Sequence, residues 1–193
     1  MRQLKTERLI LRPFRAADLA DIHRLIYADP QVAIPYSGRT WPLVEMQDKF
    51  MERTQTKKEE SGFLAVIRQE DEQVLGLVAI QPFSPDSDVS YMMFEGHPNT
   101  VGQDPHFLEA ELTYALGRPF WHQGYATEAC QSLIAYGFEE RGIGRFVNSV
   151  ISTNRGSIQL MQRLGFRIEK NVHPKPFYFT DVPGVIGILD RSV

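Results

Sequence analysis

Apolar and polar positions along this chain switch between two periods, and each change of period marks an element. Leu9-Ile10-Leu11 is a short apolar run closed by Pro13, which predicts a first strand. Asp18 then precedes Leu19, Ile22, Leu25 and Ile26, apolar at helical spacing, and the pattern stops before Pro30. A second helix is predicted over Val44 to Thr54, with Met46, Phe50 and Met51 as its apolar marks, and the stretch between the two helices reads as a loop. Lys57-Lys58-Glu59-Glu60 is a solvated charge run. Phe63 to Ile67 and Val74 to Ile80, joined by the polar turn Gln69 to Glu72, predict a hairpin, antiparallel because so few residues connect them.

The next stretch, Pro82 to His106, breaks the alternation. It carries Pro82, Pro85 and Pro98, and its only strand-like piece is Val89 to Phe94. A segment this long without regular pattern is usually functional or disordered. Glu109 to Leu116 resumes a strand, with Glu109, Glu111 and Thr113 on one face and Leu112, Tyr114 and Leu116 on the other. After Gly117-Arg118-Pro119, Thr127 to Arg141 is a helix whose Cys130, Leu133, Ile134 and Phe138 share a face, and Gly142 suits the position just past its end. Phe146 to Ser152 is a strand, Ser157 to Leu164 a short helix stopped by Gly165, and Phe166 to Glu169 and Val185 to Leu189 are final strands. Strands mixed with helices predict an α/β (α+β) layer architecture, and no linker composition marks a domain boundary.

Composition narrows the function classes. The chain has 193 residues, enough for one domain, and Lys+Arg 21 against Asp+Glu 24 gives a net charge of -3. Binding nucleic acid through its phosphates calls for a basic excess that is missing here, so no nucleic-acid partner is expected. Cys130 is the single cysteine, and the five histidines lie far apart, so neither a disulfide nor a metal site is expected. No stretch is apolar for long enough to span a bilayer, and the N-terminal residues lack a signal-peptide pattern. A cytoplasmic protein with no membrane partner is the expectation.

The chemistry concentrates in Glu111 to Phe166. A strand runs into Trp121-His122-Gln123-Gly124-Tyr125-Ala126-Thr127, where a helix begins. Such a junction presents backbone N–H groups that no helical carbonyl satisfies, and Gly124 and Ala126 are small enough to admit an anion. Neither G-x-G-x-x-G nor G-x-x-x-x-G-K-[ST] is present, so a pyrophosphate here would not sit in a dinucleotide fold or a P-loop.

At these residues the chain resembles the GNAT superfamily of acyl-CoA-dependent N-acetyltransferases, and within it the branch of ribosomal-protein N-terminal acetyltransferases. The resemblance is carried in order by Thr6-Glu7-Arg8-Leu9-Ile10-Leu11-Arg12-Pro13, Leu75-Gly76-Leu77-Val78, Ala110 to Leu116, Phe120 to Ala129, Asn154-Arg155-Gly156-Ser157 and Leu164-Gly165-Phe166. It implies a mixed, mostly antiparallel central sheet splayed mid-sheet, with helices on both faces, over a single domain of residues 1–193. Residues 82–106 are then an apparent insertion.

The resemblance also implies acetyl-CoA as co-substrate, an amine acceptor and a monomer or homodimer. Leu116 would pair main-chain groups with pantetheine, and Gln123, Gly124, Tyr125, Ala126 and Thr127 would receive the pyrophosphate. Asn154 would hydrogen-bond near the pantetheine, and Arg163 would reach the phosphates or stand as a plain solvated charge. Glu111 would take the amine's proton, in preference to Glu109. Where many members carry a tyrosine that protonates the leaving thiolate, this chain has Met161, so Ser157 one turn earlier is the substitute, or else simply the helix cap. Tyr36 and Trp41 are candidates for one wall of the acceptor site, or core packing. Cys130 faces the apolar side of its helix and is read as core. A non-catalytic acyl-CoA-binding sensor with the same fold is the alternative, supported by the missing tyrosine.

Overall fold

The protein is described here by a computed structural model covering residues 2–48, 62–82, 108–170 and 184–191. The charge run at 57–60, most of the second predicted helix and nearly all of the 82–106 segment lie outside the described residues. Among the described residues, eight strands form one sheet: β1 (Leu4–Lys5), β2 (Leu9–Pro13), β3 (Gly62–Arg68), β4 (Val74–Pro82), β5 (Leu108–Leu116), β6 (Ile143–Ile151), β7 (Arg167–Lys170) and β8 (Gly184–Asp190). Their order is β1-β2-β3-β4-β5-β6-β8-β7. The sheet is mostly antiparallel, with β5 and β6 parallel. The helices are α1 (Asp18–Ile22), α2 (Pro30–Ser37), α3 (from residue 43), α4 (Tyr125–Glu140) and α5 (Arg155–Arg163). The expected mixed α/β fold is the observed one.

The described residues fall into two compact units. The first holds residues up to Gln81 together with Leu112–Ala135. Its core is made by Leu9 and Leu11 of β2, Leu64 of β3, Leu75 and Leu77 of β4, Leu112 of β5, and Ile22 and Ile26, all fully buried. Each such side chain contributes roughly 2 kcal/mol by leaving water. The Phe63 to Ile67 run is buried throughout, as an unbroken apolar strand should be when both its faces are covered. At Gly76 the β4 backbone approaches β5 so closely that a Cβ would lie 2.2 Å from the Ala115 carbonyl oxygen.

The second unit takes the stretch between those two pieces, up to Glu111, and the chain from Tyr136 onward. Phe146 and Met161 are fully buried in it, beside Ile186 and Ile188. Phe146 meets Phe138 edge-on at 5.2 Å, and its ring leaves no room for a side chain at Gly137. The β5–β6 ladder covers Leu108 to Ala110 opposite Ile143 to Phe146, whereas β6 and β8 pair from Arg145 to Ile151.

Several elements differ from the pattern-based expectation. Helix α2 replaces the expected loop after Pro30, because Pro30 opens the helix rather than ending one. Its fixed φ suits the first helical position, and the Asp29 side chain accepts from the Gln31 N–H at 3.0 Å. Gly38, with φ 82°, closes it. Helix α1 passes directly into one wider turn, His23–Tyr27, closed by the Ala28 N–H on the His23 carbonyl at 2.8 Å. The two-residue β1 is too short to show a pattern. Helix α4 starts two residues earlier than expected, and Gly142 follows it with φ 68° as its end position demands.

Candidate active site

Strand β5 ends at Leu116, and a single turn of tighter helix, Arg118–Phe120, carries the chain to the start of α4. The Gly117 N–H bonds the Leu75 carbonyl at 2.9 Å. The Trp121 indole N–H donates to the Leu116 carbonyl at 2.7 Å. His122 and Gly124 follow with φ 61° and 83°, two left-handed residues that turn the backbone sharply into the helix. The Gln123 side chain folds back on the Pro119 carbonyl at 2.8 Å.

The Glu128 N–H on the Gly124 carbonyl, at 3.0 Å, closes the first turn of α4. Tyr125, Ala126 and Thr127 therefore have no helical carbonyl for their N–H groups. No side chain among the described residues is recorded accepting from them. Among the described residues, none is recorded as a side-chain cap for this 16-residue helix, and an anion is the natural complement of such a positive end.

Four residues that the sequence reading gave no role hold this junction: Arg8, Glu128, Thr6 and Arg68. Arg8 donates from Nε to Glu128 at 2.7 Å and from its guanidinium to the Gln123 carbonyl at 3.0 Å. It also lies over the Tyr125 ring, 4.5 Å from its centre. Glu128 accepts in addition from the Thr6 hydroxyl at 2.6 Å and the Arg8 backbone N–H at 2.8 Å. Burial works against this carboxylate, but the donors outweigh it and hold its pKa below the ordinary value. Arg68, gripped by Asp71 and close to the Tyr125 hydroxyl, is held protonated more firmly than a free arginine. Nothing in the sequence alone pairs Arg8 with Glu128, which are 120 positions apart.

In the second unit, α5 begins differently. Asn154 is its cap: the side-chain oxygen accepts from the Ser157 N–H at 3.2 Å. The alternative reading of Ser157 as the cap is corrected here, because Ser157 lies inside the first turn. The Asn154 amide Nδ2 has no acceptor among the described residues. Arg163 is exposed and returns its Nε to the Gln159 carbonyl at 3.3 Å, the arrangement of a solvated helix charge. Met161, in the position where the family resemblance looks for tyrosine, is fully buried, and its sulfur lies 2.7 Å from where a Cβ on Gly187 would stand. It is a packing residue.

The two β5 glutamates separate clearly. Glu109 does not face solvent on a strand edge. Its side chain is 4% exposed and pairs with Arg145 at 2.9 Å, while Arg145 also holds Asp190 at 2.6 Å. Burial raises the Glu109 pKa although Arg145 opposes the shift. Glu111, two residues on, is half-buried.

Tyr36 and Trp41 meet around Tyr27 of the wide turn, edge-on at 5.8 Å and 6.4 Å. Tyr36 sits on α2 rather than in a loop. The Trp41 indole donates to Ser37 at 3.0 Å, its carbonyl meets His23 Nε2 at 2.8 Å, and Arg39 covers its ring at 4.1 Å. Both residues are half-buried.

The profile of the acetyltransferase (GNAT) domain matches residues 8–167. The chain belongs to the GNAT acetyltransferase family. It is 28% identical over 176 residues to the uncharacterized N-acetyltransferase p20 of Bacillus licheniformis, covering 88% of this chain and 84% of that one. A GNAT-family acetyltransferase from Bacillus anthracis has the same fold, with a TM-score of 0.76 at 18% identity over 97% of this chain and 98% of that one. RimL, a ribosomal L7/L12 α-N-protein acetyltransferase solved in complex with coenzyme A, gives a TM-score of 0.74 at 13% identity over 97% of both chains. This GNAT protein is an acyltransferase, and acetyl-CoA is the co-substrate its fold uses. No helix among its described residues is long and apolar enough to cross a membrane.

Proposed function

We propose that this GNAT enzyme transfers an acetyl group from acetyl-CoA directly to a primary amine, either a protein N-terminus or a small-molecule amine, with the whole chain acting as one catalytic domain. The observation that carries the reading is the start of α4, where Gly124 turns with φ 83° into N–H groups for which no side-chain acceptor is recorded among the described residues. Gln123, Gly124, Tyr125, Ala126 and Thr127 hold the diphosphate there with backbone donors, which is why a net charge of -3 is no obstacle. Asn154 donates from Nδ2 to the pantetheine arm, Leu116 pairs its main-chain groups with that arm, and Arg163 is a solvated charge offered to the phosphates.

Acetyl transfer makes a C–N bond and breaks a C–S bond. Glu111 accepts the proton that the amine loses, and the Ser157 hydroxyl donates toward the departing sulfur. Tyr36 and Trp41 line the acceptor side. Direct transfer is supported by Cys130, which is fully buried and whose thiol burial keeps protonated, so it carries no acyl group.

Replacing Glu111 by Gln tests the assignment through thiol release from acetyl-CoA with a panel of amines and peptide N-termini. The expected outcome is a kcat lower by about a hundredfold with the KM for acetyl-CoA nearly unchanged. Equal losses in both would remove Glu111 from the role of base. Tight acetyl-CoA binding with no acceptor-dependent thiol release would defeat the catalytic reading itself.

A further inference from the structure

An acidic side chain stands in the first turn of α4, where an incoming diphosphate would be repelled by it. Glu128 is that residue, and three donors already occupy its oxygens: the Thr6 hydroxyl at 2.6 Å, the Arg8 N–H at 2.8 Å and the Arg8 Nε at 2.7 Å. The same guanidinium reaches the Gln123 carbonyl at 3.0 Å and stacks on Tyr125, so one arginine touches the residues on both sides of Gly124. Its other terminal nitrogen lies 3.2 Å from where a Cβ on Gly124 would stand, and no described residue is recorded as its acceptor.

We propose that Arg8 is the positioning residue of the diphosphate loop: it fixes the Gln123–Gly124–Tyr125 backbone so that the N–H groups converge, and it neutralises Glu128 beside them. The proposal rests on the reading that the α4 start holds the diphosphate of acetyl-CoA. An isolated exposed ion pair contributes little. Arg8 differs because its contacts are divided among a carboxylate, a main-chain carbonyl and an aromatic face, a set that only a planar fork satisfies at once. Lysine is a point charge on a flexible stem. It can balance Glu128 but cannot also hold Gln123 in the same geometry.

The test compares Arg8→Gln, Arg8→Lys and Arg8→Gln/Glu128→Gln with the wild-type chain, using Arg24→Gln as a control of equal charge change. Titration calorimetry gives the Kd for acetyl-CoA and for ADP, which carries the diphosphate without the pantetheine arm. The KM for S-acetylpantetheine, which carries the arm without the diphosphate, is measured alongside. Arg8→Gln is expected to weaken acetyl-CoA and ADP by a similar factor of about ten, the change that ~1.4 kcal/mol makes, and to leave S-acetylpantetheine within about twofold. Arg8→Lys recovers only part of that loss, and the double variant regains part of it because the uncompensated carboxylate is gone. Arg24→Gln matches wild type.

A wild-type Kd for acetyl-CoA in folded Arg8→Gln overturns the proposal, as does an equal loss toward all three ligands, which would mean general loosening. Should Arg8→Gln not fold, Arg8→Lys carries the test, and wild-type ADP affinity there overturns the proposal as well. Wild-type protein that binds neither acetyl-CoA nor ADP instead overturns the diphosphate reading beneath it.

Discussion

Helices α4 and α5 both start at a loop after a strand, and they solve the same problem in opposite ways. Helix α5 caps its first turn with its own Asn154 side chain, which accepts from the Ser157 N–H. At helix α4 no described side chain is recorded accepting from Tyr125, Ala126 or Thr127, and the loop before them is held instead through Arg8, Glu128, Thr6 and Trp121. A capped helix end contributes to stability. An uncapped one held rigid by its surroundings is built to bind. The difference teaches that a small-residue helix start becomes evidence for an anion site only when its shape is enforced from outside.

The sharpest way to break this comparison is to add one methyl group at each start. Gly124→Ala puts a side chain on a residue with φ 83° and 3.2 Å from Arg8, so acetyl-CoA affinity should fall by about tenfold or more in calorimetry. Gly156→Ala, in the first turn of α5, meets nothing nearer than 3.9 Å. It should leave acetyl-CoA binding alone and raise Tm slightly, because alanine is the better helix former. Similar behaviour of the two variants would erase the distinction.

A smaller effect is expected at the α5 cap. Asn154→Ala should cost about 1 kcal/mol of stability, lowering Tm by about 3 °C in a scanning melt. Acetyl-CoA should bind several-fold more weakly if Nδ2 donates to it. Loss of stability without loss of affinity would make Asn154 a cap and nothing more.

The smallest effect is a pH slope. The native Glu128 carboxyl titrates below its ordinary value, so it stabilises the fold above about pH 4, the range of unperturbed glutamate. That contribution is lost as pH falls through the native pKa. Glu128→Gln should therefore flatten the acid side of a Tm-against-pH curve. Helix α5 has no acidic residue in its first turn, so Asn154→Ala should leave that slope as in wild type. A wild-type slope in Glu128→Gln would show that the network around Arg8 does not act through charge.

Much of the fold was legible because local patterns agreed with it. The apolar runs of β3 and β4, the polar turn between them and the glycine after α4 each have a local cause, and each stands where the pattern puts it. Misreadings came from residues with two local meanings. Pro30 can stop a helix or start one, and only the Asp29 side chain on Gln31 decides in favour of starting. Ser157 and Asn154 can both cap a helix, and only the path of the chain decides between them. Glu109 looks like any strand glutamate until Arg145 covers it.

By itself the sequence determined the alternation of strands and helices, the small residues Gly124 and Ala126 at a helix start, and the candidate chemistry from Glu111 to Phe166. Those are properties of neighbours along the chain, fixed by backbone sterics and by the period of the apolar positions. Tertiary structure alone decided that Arg8 meets Glu128 across 120 positions, that Trp121 takes the Leu116 carbonyl, and that Met161 packs against Gly187. Contacts of that kind depend on which surfaces folding brings together, and no local spacing encodes them.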